Sequence, residues 1–194
     1  STPTHSYMRY LYKYPQAAFP YGDLIEGNRR RGRHEPEYEL LDTGIFDQDR
    51  YFDVVVEYAK AGPEDVLVRI TAHNRGPDAA TLHLLPTLWF RNTWSWKGGG
   101  SKPVIEAIGG TASSVVRARH TDPLFQESLE DYYLYTEAKA PWLFTDNETN
   151  HARLFGSPNA GPFVKDGIND LLIHGRTGAV NPALTGTKVA AHHT

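Results

Sequence analysis

The chain has 194 residues, with 20 Lys and Arg against 23 Asp and Glu, a net charge of −3, 40% hydrophobic and 12% aromatic side chains, and no cysteine. That is core material for one large domain and too aromatic for a disordered segment. The near-neutral balance gives no field for nucleic acid or for an anionic membrane surface, no apolar run is long enough to span a bilayer, and zero cysteine excludes disulfides, thiolate nucleophiles and zinc–cysteine sites.

Residues 5–31 are rich in tyrosine and interrupted by Pro15 and Pro20. Proline removes a backbone donor and restricts the residue before it, so short helical turns or irregular chain are predicted here. The run "YGDLIEGNRRR" is predicted to hold one short helix, with Asp23 near its start and arginines near its end, in line with the helix dipole.

From Tyr51 the period becomes two. Phe52, Val54, Val56 and Tyr58 share one face, against Asp53, Val55 and Glu57; Val66, Val68, Ile70 and Ala72 oppose Leu67, Arg69, Thr71 and His73. A third run, "ATLHLLPTLWFRN", places Leu82, Leu84, Leu88 and Phe90 together. Turn-rich "AGPED" and "NRGPDA" separate the three, which predicts an antiparallel meander. Pro86 cannot donate to a ladder, so the third strand is an edge there or carries a bulge.

Short runs follow in "KPVIEAIGG", "SSVVRARH", "DYYLYTEA" and "PWLFTDN", at the spacing of a sandwich or barrel, with a short helix predicted in "TDPLFQESLED". "SPNAGPFVKDG" reads as a loop, "INDLLIHGRTGAV" as a helix or a strand, with a short helix or turn followed by irregular chain favoured, and "GTKVAAHHT" as a strand. The fold class expected is mainly β, an antiparallel β-sandwich with a few short helices, over 1–194 as a single domain.

The densest aromatic cluster is "LWFRNTWSWKGGGS", with Trp89, Trp94 and Trp96 running into glycines. If the strand continued past Asn92, Trp94 and Trp96 would point the same way, with Arg91 and Asn92 supplying donors beside them. Two readings stand. Aromatic faces stack on sugar rings, and they also fill interfaces while keeping one polar handle. Arg91, Asn92, Trp94 and Trp96 are therefore the candidate carbohydrate-binding or interdomain residues.

Other motifs carry less. "GGGSK" lacks the spacing of a phosphate loop and is followed by Pro103, and the nine histidines include no H-x-H or H-E-x-x-H, so neither a cofactor nor a metal is indicated. "NRRRGR" reads as a turn paired with the acids after it. Asn147-Glu148-Thr149 matches a glycosylation sequon. A glycosidase needs two carboxylates flanking the scissile bond. Glu35, Glu37, Glu39, Asp42, Asp47, Asp49 and Asp53 are available, and nothing singles out a pair, so no catalytic residue is assigned.

Four stretches, "STPTHSYMRYLYKYPQAAFPY", "EYELLDTGIFDQDRYFDVVVEYAKA", "LHLLPTLWFRNTWSW" and "AVNPALTGTKVAAH", resemble the N-terminal part of large bacterial proteins related to glycoside hydrolase family 63, glucosidases akin to mannosyl-oligosaccharide glucosidases. The resemblance implies a β-sandwich preceding an (α/α)6 toroid that carries the acid and base. It thus implies an excised N-terminal region. Its partners would be the C-terminal (α/α)6 catalytic domain of the same polypeptide and an oligosaccharide substrate; the absence of cysteine fits a cytoplasmic setting without demanding one. "RNTWSWKGGGS" and the leader "YMRYLYKYPQ" are the two candidates for contact with that domain.

Overall fold

Alternation over 51–74 becomes a long hairpin: β2 (Tyr51–Lys60) and β3 (Val66–Asn74) pair antiparallel, with Val56 opposite Ile70 and Tyr58 opposite Val68. The turn is closed by Ala61 N–H donating to the Asp65 carbonyl. The structure is a computed structural model and describes residues 1–96, 100–110, 114–120, 129–137 and 139–194. The fold is mainly β, with three antiparallel sheets and a few short helices. It divides into two compact units, Ser1–Thr81 and Leu82–Thr194.

The first unit overturns one expectation. The tyrosine-rich leader is neither helical nor irregular: Tyr7–Pro15 forms β1, paired with β2 along nine residues. Pro15 costs the ladder nothing because it is the last residue of the strand, and Gln16 N–H already turns to the Arg50 carbonyl. Register segregates the sheet. Met8, Tyr10, Tyr12 and Tyr14 share a face with Phe52, Val54, Val56 and Tyr58, while Arg9, Leu11 and Lys13 share the other with Asp53, Val55 and Glu57.

On that second face the charges satisfy one another. Asp53 accepts from Lys13 Nζ at 3.0 Å and from Arg75 Nε at 2.7 Å, and these partners hold its carboxyl below the usual range. Glu57 accepts from the Tyr7 hydroxyl at 2.6 Å and Arg69 Nε at 2.9 Å, with the same consequence. The expected helix is α1 (Tyr21–Arg29), with Asp23 in its first turn and Arg29 in its last. Tyr38 lies across it so closely that a Cβ on Gly27 would meet the ring at 2.5 Å. Asn28 fixes the arrangement by accepting from Tyr38 N–H and donating to its carbonyl, both at 2.8 Å. The basic cluster is local: Arg31 donates to the Pro36 carbonyl and its guanidinium stands 5.1 Å from the Tyr38 ring centre.

The second unit holds β4 (Thr87–Trp89), β5 (Val104–Ala107), β6 (Val115–His120), β7 (Leu129–Tyr135), β8 (Trp142–Thr145), α2 (His151–Phe155), α3 (Gly167–His174), β9 (Thr185–Gly186) and β10 (Lys188–Ala191). The third alternating run does not extend the meander. Only three of its residues are strand, starting just after Pro86, and they pair with β10 at the edge of a β4-β10-β8 sheet. The other sheet runs β7-β6-β5-β9.

Ile105, Val116 and Ala118 from that sheet bury against Trp142, Phe144, Val189 and Ala191 from the β8 and β10 strands, which makes a two-layer sandwich. The alternate residues Leu143 and Ala190 face the other way and pack with Ile168, Leu171 and Leu172 of α3. Burial on both faces explains why β8 is apolar throughout rather than alternating. The chain passes from one sheet to the other at Thr187, whose N–H donates to the Thr145 carbonyl at 3.1 Å and whose carbonyl accepts from Phe90 N–H at 2.9 Å. The helix predicted in "TDPLFQESLED" falls mostly on residues outside those described. Among the described residues, no helix is long and apolar enough to cross a membrane.

Candidate functional site

β4 ends at Trp89, and Phe90 keeps one more backbone bond to the corner at Thr187. The strand does not reach Asn92, so the alternation argument for Trp94 and Trp96 fails and the loop must be positioned by side chains. Asn92 does much of this. Its Oδ1 accepts from Ser95 N–H at 3.2 Å and from Ser95 Oγ at 2.7 Å, turning the chain back. Its amide donates to Glu148 Oε2 at 2.8 Å and to the Asn147 carbonyl at 3.1 Å.

Glu148 completes the arrangement, because its other oxygen accepts from the Trp94 indole N–H. Asn147 pins the loop's base: its amide donates to the Phe90 carbonyl at 2.9 Å, and its N–H donates to Thr187 Oγ1 at 2.8 Å. Charge-assisted bonds of this kind contribute roughly 1.5–3 kcal/mol each when well formed. With both carboxylate oxygens engaged by donors, Glu148 holds Asn92 and Trp94 together.

The four predicted residues therefore separate into two pairs. Asn92 and Trp94 are half-buried and meet on Glu148. Arg91 and Trp96 are exposed, with the guanidinium 5.2 Å from the Trp96 ring centre and Trp96 retaining 56% of its accessible surface. A cation over a tryptophan face beside a fixed indole can pack against a flat polyhydroxyl ligand or against another protein surface. Gly98 and Gly99, in the glycine run after Trp96, lie outside the described residues.

Glu148 was missed because it lies 54 residues from Trp94. The only signal was its place in a polar triplet directly after an apolar strand, which reads equally well as a sequon. A nearby cavity of about 160 Å³, lined by Leu88, Trp89, Phe90, Ala118 and Tyr132, is almost wholly apolar. It lacks the convergent polar groups that orient a sugar. His83 pairs with His192, Nδ1 to Nε2 at 2.8 Å with the rings stacked, and burial, followed by the charges of His83 and His193, keeps His192 below the ordinary imidazole value. No group of three or more His, Asp or Glu among the described residues is placed to hold a metal ion.

Comparison with known proteins gives one informative likeness. The chain is 36% identical over 219 residues to the uncharacterized protein YMR196W of Saccharomyces cerevisiae, a match covering 98% of this chain and 20% of that protein, at its N-terminal part. The chain thus spans about a fifth of the length of the curated relative it matches. No protein-family model matches the chain, and no solved structure matches it.

Proposed function

We propose that 1–194 is the non-catalytic N-terminal β-sandwich region of a cytoplasmic glycoside hydrolase related to family 63, one that acts on α-linked glucosides through an (α/α)6 catalytic domain of the same polypeptide. The match of nearly the whole chain to the N-terminal part of a protein about five times longer supports the reading of 1–194 as one region of a larger polypeptide, and the glycoside hydrolase part rests on the resemblance of the four stretches quoted above. The β architecture agrees with it. In this reading Asn92, Trp94 and Glu148 form a rigid stub, and Arg91 and Trp96 are the surface it presents to the catalytic domain or to the edge of its sugar pocket.

The test is hydrolysis of α-linked glucosyl disaccharides by the longer polypeptide and by 1–194 alone. Turnover by the former and none by the latter is the expected result; turnover by 1–194, or by neither, contradicts it.

The exposed Arg91–Trp96 pair also favours a second reading, a carbohydrate-binding module. Tryptophan fluorescence during titration with glucose, glucosyl disaccharides and mannosyl sugars separates the two. Saturable quenching that disappears in Trp96→Ala supports the module.

A further inference from the structure

The β1-β2-β3 sheet has one face whose outer strands are apolar and exposed. Met8, Tyr10, Tyr12 and Tyr14 of β1 and Val66 and Val68 of β3 lie on that face and are all exposed, Tyr12 keeping 50% and Val68 49% of their surface. Phe52 and Val56 of the central strand are buried on the same face. Apart from Lys60 at one end, no charged residue belongs to the face, whereas the opposite one carries the Asp53 and Glu57 ion pairs. Like a partly built core, it combines aliphatic residues with tyrosines, the residue type that fills interfaces while keeping a hydroxyl for hydrogen bonding.

Size decides what fits. Three strands about 4.8 Å apart, over nine residues at about 3.4 Å each, give roughly 400 Å² of sheet. That is within the roughly 300–600 Å² of the largest apolar patch on a monomer, a patch that is often functional. An interface between separate proteins takes about 800 Å² per partner, which this face cannot supply. Contacts between domains of one chain begin at roughly 300 Å² per side, because the linker holds the partner close. The yeast relative extends far beyond the region matched here, so polypeptide of the right kind exists in at least one homologue.

We infer that this apolar sheet face is the seat of a further domain of the same polypeptide, encoded beyond the matched region and presenting an apolar surface free of charge. The inference rests on the reading that 1–194 is one region of a larger protein, and not on that protein being a glucosidase.

A photo-cross-linking residue placed at Tyr12 in the longer polypeptide tests it, with the same residue at Arg9 on the charged face as control. Tyr12 is half exposed and Arg9 is exposed, so neither substitution empties a core. The expected product is an intramolecular cross-link from position 12 to a peptide beyond 194, with none from position 9. A cross-linked dimer, a cross-link into 82–194, equal reaction at both positions, or no cross-link overturns the inference. Glucosidase activity measured on the same samples reports separately on the proposed function, so each can fail without the other.

Discussion

The two units use the same element, a three-stranded antiparallel sheet, in opposite ways. In β4-β10-β8 the strands are three or four residues long, yet Phe144 and Val189 keep none of their surface because a second sheet covers one face and α3 the other. In β1-β2-β3 the strands are nine or ten residues long and fully paired, yet most side chains of the outer strands are exposed. Backbone pairing organises a sheet, but burial of side chains from water stabilises it. The short strands therefore belong to the finished core, and the long ones to a layer waiting for its cover.

Substitutions can sharpen that contrast. The largest effect is expected for Phe144→Ala, which empties a fully buried site and should destabilise the second unit by about 3–5 kcal/mol in chemical denaturation. Gly186→Ala comes next. A Cβ there would stand 2.3 Å from the Thr145 carbonyl oxygen, a backbone atom that cannot swing aside, and about 3 kcal/mol of destabilisation should follow.

In the first unit the charged face offers a smaller effect that depends on pH. Asp53→Asn weakens bonds to Lys13 and Arg75, which are themselves about half exposed, so the expected cost at neutral pH is about 1 kcal/mol. The sign of its pH dependence follows from the lowered carboxyl pKa. The unfolded chain takes up the proton first, so the stabilisation is present above about pH 4 and is lost as pH falls through the folded-state value. Stability measured against pH should show a shallower acid limb in Asp53→Asn, with Glu57 supplying what remains. Tyr12→Ser, on the open face, should cost less than about 0.5 kcal/mol. A larger loss would mean that the face is already covered.

Where one face was apolar and the other charged, the sequence was readable, as in 51–60 and 66–74. The helix at Tyr21–Arg29 and the strand at Lys188–Ala191 were readable too, whereas the run that forms the helix at Gly167–His174 read as helix or strand. β1 was hidden by Pro15, which looks like a strand breaker until its position at the end of the ladder is known. The run after Thr81 misled in the other direction: its strand pairs with β10 at a sheet edge, as Pro86 required, with Leu84 bridged to His193 before the proline, instead of extending the meander. At the candidate site, Arg91, Asn92, Trp94 and Trp96 were visible as a cluster of types. Their division into a fixed pair and an exposed pair was not, because it depends on Glu148, brought in from a distant strand end. Period carries information about burial along one segment; it carries none about which distant side chain will meet it.

Residue-resolved hydrogen exchange on the 194-residue chain tests the central contrast most directly. Amides paired between β8 and β10 and between β5 and β6 should exchange at rates near those of global unfolding. Amides of β1 and β3 that are paired with β2 should exchange much faster, through local opening of a sheet whose outer strands are exposed. Protection in β1 and β3 equal to that in β8 would contradict the account, since it would mean that the long sheet already has its cover.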